Sequence, residues 1–182
     1  MNKFKKFFVV FILLIFFTLF NLYSKSRMIG KKAKDFRLKS INGKVVRLSK
    51  VLKKNKLVLI NFWATWCPPC RAEIPGLAKV YKKYKNKGFI ILGISLDRNV
   101  SPSMLKDFKY QFKKYLDVDI SYPILIGSDK VVRNFGGIRA IPTSFLIDKK
   151  GIIREHIIGY ISDTYLESLI KKYLFKKQKR KK

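Results

Sequence analysis

Hydrophobic residues along this chain fall into short continuous runs, separated by stretches rich in lysine. Two of the runs, Leu57 to Phe62 and Phe89 to Ser95, are short and apolar, which is typical of buried strands. Between them, the segment Arg71 to Lys87 has apolar residues at helical spacing and ends at Gly88. A strand, a helix and a strand in this order predict a right-handed βαβ unit with parallel strands.

Alternating patterns predict a hairpin on each side of this unit. Asp35 to Leu38 and Val45 to Leu48 both alternate and flank Asn42-Gly43, a strong signal for a tight hairpin. Further along, Ser144 to Asp148 and Ile152 to Ile157 are separated by a turn that ends in glycine. The second pair predicts a hairpin at the edge of the sheet.

Serine residues stand at the start of three predicted helices. Ser49 is expected to cap a short helix before the first buried strand, Ser101 begins a longer helix, and Ser162 caps the last one. The patterns also predict a short strand at Tyr122 to Ile126 and a short helix at Lys130 to Phe135. The helix that starts at Ser101 has a single apolar face, made of Met104, Leu105, Phe108, Phe112 and Leu116.

The run from Phe7 to Tyr23 is almost entirely apolar and follows three lysines. As a helix it would cover about 25 Å, against about 30 Å for a hydrocarbon core, and flanking lysines can close the gap. The run fits a signal peptide or a short membrane anchor. Because no Ala-x-Ala-like cleavage site follows, we expect an uncleaved anchor. The lysines before the run favour a cytoplasmic N-terminus, so we expect the folded part on the extracytoplasmic face, periplasmic or outer.

These patterns divide the chain into one folded domain and its appendages. We predict a basic cytoplasmic segment at 1–6, the signal-anchor or transmembrane segment at 7–23, a linker at 24–34, the domain at 35–175 and a basic tail at 176–182. The formal net charge is +30. Since lysine is spread over most polar faces instead of forming one stripe, we attribute the charge to compositional bias and expect no nucleic-acid partner.

Two cysteines, Cys67 and Cys70, lie where the first buried strand turns into the helix. Unpaired amide groups and the helix dipole favour an anion there, so a thiol ionises more readily. Pro68 and Pro69 are tolerated because the first helical positions need no amide hydrogen. We expect Cys67 to be the exposed attacking thiolate and Cys70 the more buried thiol that resolves the mixed disulfide.

A structural disulfide and a zinc site are the two other interpretations of the cysteine pair. A structural disulfide usually joins distant segments, which this spacing cannot do. A zinc site needs about four ligands, and the chain offers these two cysteines and His156, which we expect to be structural. A redox-active Cys67–Cys70 disulfide, with no cofactor and no metal, is the favoured interpretation.

Two motifs carry a resemblance to a known family. They are Asn61-Phe-Trp-Ala-Thr-Trp-Cys-Pro-Pro-Cys-Arg-Ala-Glu-Ile-Pro75 and Gly137-Ile-Arg-Ala-Ile-Pro142-Thr143. Together they resemble the TlpA/ResA-like branch of the thioredoxin superfamily, which comprises membrane-anchored thiol-disulfide oxidoreductases of the bacterial envelope, several of them serving cytochrome c maturation. The resemblance covers about Gly30 to Leu174. It implies an α/β thioredoxin fold, a central mixed sheet flanked by helices, with an N-terminal hairpin and a helical insert.

The resemblance also implies a substrate-binding surface around the cysteines. It implies that Ile141-Pro142 is a cis peptide facing them, the alternative being an ordinary trans proline that starts a strand. The Ile141 backbone would then bind an extended substrate peptide. The residues expected at this surface are Trp66, Pro68, Ile141, Pro142 and Thr143, while Trp63 is expected in the core.

Glu73 matches an acidic residue that ResA-like proteins hold near the active site. A buried carboxylate beside Cys70 would have a raised pKa and could move a proton during the second thiol's attack. The alternative is a surface charge in the first helical turn. Cytosolic thioredoxins carry a buried Asp where this chain has Asn61, which cannot titrate.

The resemblance implies an enzyme that exchanges disulfides in envelope proteins, as a reductase more than as an oxidant. Its implied partners are disulfide-containing proteins, with apocytochrome c as a candidate, and a membrane-embedded electron donor. A peroxiredoxin is one alternative, but that class uses Pro-x-x-x-Thr-x-x-Cys, and Thr65 lies only two positions before Cys67. The other alternative is a basic protein that binds polyanions or lipid.

Overall fold

The computed structural model describes residues 28–175, in which strands and helices follow one another in the predicted order. The strands are β1 (Arg37–Lys39), β2 (Val45–Arg47), β3 (Leu57–Trp63), β4 (Phe89–Ser95), β5 (Ile124–Ile126), β6 (Thr143–Asp148) and β7 (Ile153–Ile158). The helices are α1 (Leu48–Lys54), α2 (Pro68–Tyr84), α3 (Pro102–Leu116), α4 (Asp129–Asn134) and α5 (Asp163–Ile170). A 3₁₀ turn (Lys85–Lys87) follows α2, and a π-helical turn (Lys171–Phe175) follows α5.

The main sheet is mixed and has the strand order β5-β4-β3-β6-β7. β3 pairs in parallel with β4, and β4 with β5, which confirms the predicted βαβ unit. β6 runs antiparallel to both β3 and β7. The second predicted hairpin is therefore confirmed, with β7 at the edge.

Helices cover both faces of this sheet, so β3 is buried along its whole length. One face carries α2, α3 and α5, which contribute core residues such as Leu77, Leu105 and Leu166. The other face carries the β1-β2 hairpin, α1 and α4, and its core includes Phe36 and Phe135. Packing on both faces fixes the end of β3, and α2 starts from that end.

The predicted helix caps at Ser101 and Ser162 are confirmed. The Ser101 hydroxyl accepts a hydrogen bond from the Met104 amide at 3.3 Å, and the Ser162 hydroxyl accepts one from the Tyr165 amide at 3.2 Å. Gly88 ends the 3₁₀ turn with a φ of 91°, a left-handed conformation that favours glycine.

The prediction that Ser49 caps α1 is wrong. The helix begins one residue earlier, at Leu48, and Arg47 precedes it without a side-chain cap. The Ser49 amide and hydroxyl instead donate to the Asp35 carboxylate, at 2.8 and 2.9 Å. The cap comes from a residue far along the chain, which a local pattern does not reveal.

The apolar face predicted for α3 is only partly buried. Leu105 and Phe112 lie in the core, but Met104 and Leu116 are each 57% exposed. Part of the apolar face of this helix therefore remains open to solvent. The strand predicted at Tyr122 to Ile126 is also shorter than expected, since β5 begins at Ile124.

Several predictions concern residues at the two ends of the chain. The basic segment at 1–6, the anchor at 7–23 and the tail at 176–182 lie outside the described residues. Within 28–175, no helix is both long and apolar enough to cross a bilayer. Part of the predicted linker is described: the Gly30 and Ala33 amides donate to the carbonyls of Ile153 and Gly151, both at 2.8 Å, so this part is held against the domain.

Candidate active site

The cysteine pair lies at the junction between β3 and α2. Cys67 is the N-cap residue of α2, and Pro68 and Pro69 occupy the first helical positions. Cys67 and Cys70 form a disulfide with their Cα atoms 5.3 Å apart. The Cys70 amide donates to the Cys67 sulfur at 3.3 Å, so a helix-terminal N–H group already points at the atom expected to carry negative charge.

The expectation that the Cys67 sulfur is freely exposed is wrong for the disulfide form. Cys67 is only 3% exposed, and Cys70 is completely buried. The Ile141 carbonyl oxygen lies 3.7 Å from the Cys67 sulfur and covers it from a loop distant in sequence. Of the two cysteines, Cys67 still has the greater exposure, and Trp66 beside it is 68% exposed.

The loop that covers Cys67 contains a cis peptide bond between Ile141 and Pro142, as the resemblance implied. The Pro142 carbonyl accepts a hydrogen bond from the Gly159 amide at 2.8 Å, and the Thr143 hydroxyl donates to the Ala140 carbonyl at 2.7 Å. These two hydrogen bonds hold the loop in the position where the Ile141 carbonyl group lies beside the Cys67 sulfur. The buried Thr143 side chain holds the turn, and its contact with substrate stays a prediction.

Glu73 is buried and lies one helical turn beyond Cys70. Its side chain is 1% exposed, so the alternative of a surface charge is wrong. One carboxyl oxygen accepts a hydrogen bond from the Asn61 amide group at 2.7 Å, and the other from the Ile161 backbone amide at 3.1 Å. Burial raises the pKa of Glu73 to about 7, with the two hydrogen bonds opposing the shift. A carboxyl group with such a raised pKa is suited to take up and release a proton near neutral pH.

Sequence reasoning did not identify the partners of Glu73. The sequence marks Asn61 only as a residue that cannot titrate, yet its amide nitrogen donates to Glu73 and, at 3.1 Å, to the Ser144 hydroxyl. Ile161 is 88 residues away from Glu73 in the chain. Tyr122 is also coupled to Glu73. Burial raises the pKa of Tyr122, and the negative charge of Glu73 raises it further. The available signal was that Asn61 is the polar residue within the otherwise apolar β3.

Asp97 is a second residue that the sequence analysis missed. It follows β4, and its carboxylate accepts hydrogen bonds from the Thr65 hydroxyl and the Ser95 hydroxyl, each at 2.7 Å. The Thr65 amide also donates to it, at 3.1 Å. Since the carboxyl ends of parallel strands meet at one edge of the sheet, the position of Asp97 after β4 was the available signal. Asp97 fixes the turn that leads into Cys67.

The remaining aromatic residues near the site are structural. Trp63 is 3% exposed and packs against Phe108 with ring centroids 5.2 Å apart, which confirms its place in the core. His156 stacks on Phe145 at 4.3 Å, and burial lowers its pKa. Its packing is that of the structural residue that was predicted.

Together, the fold and the site define a class of protein. A thioredoxin-like α/β fold, two cysteines separated by two residues at a helix start, and a facing cis-proline are the features of a thiol-disulfide oxidoreductase. Such a pair takes two electrons from a dithiol or gives two to a disulfide without a cofactor.

Comparisons with known proteins agree with this class. Residues 29–156 match the model of the AhpC/TSA family. The chain is 37% identical over 180 residues to the thiol-disulfide oxidoreductase ResA of Bacillus thuringiensis, covering 94% of this chain and 98% of the relative. It is 31% identical to the thioredoxin-like protein YneN of Bacillus subtilis, over 87% of this chain and 92% of the relative. A solved thiol:disulfide interchange protein from Chlorobium tepidum superposes with a TM-score of 0.66 at 31% identity, over 83% of this chain and 99% of that one.

The chain therefore belongs to the AhpC/TSA family and, within the thioredoxin superfamily, to the ResA-like thiol-disulfide oxidoreductases.

Proposed function

We propose that this chain reduces disulfide bonds in proteins of the cell envelope through its Cys67 and Cys70 thiols. The observation that carries the proposal is the position of the Cys67 sulfur, which receives the Cys70 amide at 3.3 Å at the start of α2. A thiolate at that position is stabilised by the amide and by the helix dipole. The Ile141 backbone, whose carbonyl oxygen lies 3.7 Å from that sulfur, is proposed to bind an extended peptide that carries the target disulfide.

The exchange takes place in two steps. The Cys67 thiolate attacks one sulfur of the substrate disulfide, that bond breaks, and the other substrate sulfur leaves as a thiolate that takes up a proton. Cys70 then loses its proton and attacks the Cys67 sulfur of the mixed disulfide. The second substrate sulfur is released, and the protein keeps the Cys67–Cys70 disulfide. Two electrons have moved from the protein to the substrate.

Glu73 is proposed to accept the proton of Cys70 in the second step. It is buried one helical turn beyond that residue, and its pKa of about 7 suits a group that gains and loses a proton at neutral pH. The hydrogen bonds from Asn61 and Ile161 hold both carboxyl oxygens in place.

The setting of this reaction is proposed from the N-terminal sequence and from the family resemblance. The apolar run at 7–23 supports a domain anchored on the extracytoplasmic face of a membrane. Disulfides of envelope proteins, including those of apocytochrome c during cytochrome maturation, are the proposed substrates. Because each turnover leaves the protein oxidised, a membrane-embedded electron donor is proposed to reduce it again.

Reduction of insulin disulfides by the reduced full-length chain tests the activity. Insulin precipitation should accelerate with wild-type protein and fall to the uncatalysed rate with Cys67→Ser, since a serine hydroxyl has no sulfur and cannot form the mixed disulfide. Equal rates for the two proteins would rule out the proposed function.

The direction of the reaction is tested by equilibrating the pair with glutathione buffers. For a reductase we expect a reduction potential in the range of thioredoxin and the glutaredoxins, about −270 to −200 mV. A value near −120 mV, which is typical of a strong oxidant, would assign the opposite direction.

The peroxiredoxin alternative finds no support in the site. A peroxidatic cysteine of that class needs a threonine three residues before it, whereas the Thr65 hydroxyl is two residues before Cys67 and donates to Asp97. Hydrogen peroxide should therefore be consumed by the reduced protein no faster than by free thiols.

A further inference from the structure

A groove of about 760 Å³ opens between α3 and the turn that carries Trp66, the residue directly before Cys67. Apolar side chains form much of its wall, among them Val100 and Phe108. Trp66 and Met104 also line it and are 68% and 57% exposed, although both are large and apolar. The exposed Met104 on the α3 apolar face is therefore on one side of this groove, and Trp66, the residue before Cys67, lines it as well.

The acidic residues of the chain are distributed unevenly with respect to this groove. All eleven lie among the described residues, and seven of them form ion pairs with described lysines or arginines. An eighth, Glu73, is buried behind the disulfide. Of the remaining three, Asp97 and Asp107 line the groove, and Asp129 lines an adjoining cavity that shares Asp97 with it.

The charge of these two groove carboxylates is not neutralised by the described part of the chain. Asp97 accepts hydrogen bonds from Thr65 and Ser95, which are neutral donors. Asp107 is exposed and has no ion pair with a described residue. Arg98 also lines the groove but pairs with neither carboxylate within the described residues. In a molecule of net charge +30, this groove thus carries more acidic than basic side chains.

We propose that the groove binds a substrate segment with a lysine or arginine beside the cysteine under attack. The aliphatic part of such a side chain fits the apolar wall of Met104 and Phe108, and its charged end meets Asp107 and Asp97. The face of the exposed Trp66 ring offers a further contact for a cation. Because Trp66 lines the groove and directly precedes Cys67, the groove is assigned to the part of the substrate close to the cysteine under attack. This inference rests on the proposed function and adds a preference among its substrates.

The test uses synthetic peptides with one internal disulfide that differ only at the residues flanking the first cysteine, which are lysine, glutamine or glutamate. Stopped-flow fluorescence measures the second-order rate of their reduction by the reduced full-length protein at low salt. We expect the lysine peptide to react about threefold faster than the glutamine peptide, an effect of the size that exposed ion pairs give, and the glutamate peptide to react most slowly. Added salt should shrink the differences.

Asp107→Asn should bring the lysine and glutamine rates together, because it removes a carboxylate that makes no ion pair within the described residues. The matched control is Asp119→Asn, which changes the net charge equally but lies beyond the far end of α3, in a different cavity. It should leave the preference intact. Met104→Lys, which adds a positive charge to the groove, should reverse the preference.

Three results would overturn the inference: no preference among the peptides, a preference for glutamate, or an equal loss of preference in Asp107→Asn and Asp119→Asn. Hydroxyethyl disulfide, which is small and uncharged, separates these results from a failure of the proposed function. Suppose that one of these three results is found, while all three variants reduce hydroxyethyl disulfide at the wild-type rate. The exchange chemistry is then intact, and only the groove assignment fails. If wild-type protein does not reduce it, the proposed function itself fails.

Discussion

Glu73 is the residue whose protonation connects the fold to the proposed chemistry. A carboxyl group that is 1% exposed loses hydration in its charged form, and the two hydrogen bonds from Asn61 and Ile161 recover only part of that loss. The result is a pKa of about 7 in the folded state against 4.5 as the ordinary value. The protein thus gives up stability to keep a titratable group behind its disulfide.

The stability cost of Glu73 should appear as a dependence on pH. Well below pH 4.5, Glu73 is protonated in both the folded and the unfolded state. Between pH 4.5 and about 7, the unfolded chain has lost this proton while the folded protein still holds it. Folding therefore becomes less favourable by about 3 kcal/mol as the pH rises across this range. Glu73→Gln removes this dependence. Urea unfolding of the oxidised protein should therefore show Glu73→Gln gaining stability over wild type between pH 4 and pH 8.

Glu167→Gln is the control with the opposite sign. The Lys83 ammonium group beside Glu167 lowers the pKa of that carboxyl, so its charge favours folding and its removal should cost stability above pH 4.5. A stability difference between Glu73→Gln and wild type that did not change with pH would contradict the account of Glu73.

Asn61 should position Glu73 and hold its pKa down. Asn61→Ala removes the 2.7 Å hydrogen bond to the carboxylate, and the midpoint of Glu73 titration should rise by about one pH unit. Carbon NMR of labelled glutamate carboxyl groups measures this midpoint directly.

Ser144→Ala is the matched control for Asn61. It removes the other hydrogen bond of the Asn61 amide and leaves Glu73 untouched, so the midpoint should stay near 7. An unchanged midpoint in Asn61→Ala would show that Asn61 does not position the carboxyl group.

At the scale of elements, α5 supports the active-site helix from behind. Leu77 and Leu166 lie in the same core on the two helices, and the Lys79–Asp163 and Lys83–Glu167 ion pairs join their exposed sides. Exposed pairs of this kind contribute little stability, so the apolar contact is the main attachment. The residue just before the α5 cap, Ile161, supplies an amide hydrogen bond to Glu73. The start of α5 is therefore part of the site.

Ser162→Ala should lower the stability of the domain through loss of the α5 cap. The hydroxyl that accepts from the Tyr165 amide disappears, which costs about 1 kcal/mol and lowers the melting temperature by about 2–4 °C. Ser168→Ala makes the same chemical change inside α5, where the hydroxyl only donates to the Tyr165 carbonyl. Differential scanning calorimetry should show a smaller shift for Ser168→Ala, and equal shifts would contradict the capping role.

For the whole molecule, the sequence predicted what depends on neighbours along the chain. The βαβ unit, both hairpins and the caps at Ser101 and Ser162 follow from local periodicity and turn chemistry, and the structure confirms them. The position of Cys67 at the start of α2 follows in the same way.

The features that the sequence did not predict depend on contacts between distant segments. The resemblance implied that Ile141 faces the cysteines, but not that this residue, 74 positions further along the chain, leaves Cys67 only 3% exposed. The Asp35 cap on α1 and the Ile161 amide on Glu73 are also long-range contacts. Likewise, an apolar face on a helix does not show whether another element covers it, and Met104 remained exposed for that reason.

The central claim is that Cys67 attacks and Cys70 resolves, and trapping the mixed disulfide tests it most directly. Reduced Cys70→Ser protein should form a stable mixed disulfide with a substrate disulfide, located at Cys67 by peptide mass spectrometry. Reduced Cys67→Ser should form the corresponding adduct at Cys70 at least about tenfold more slowly, because Cys70 is completely buried and lacks the N-cap position. Adduct formation at Cys70 as fast as at Cys67 would contradict the account.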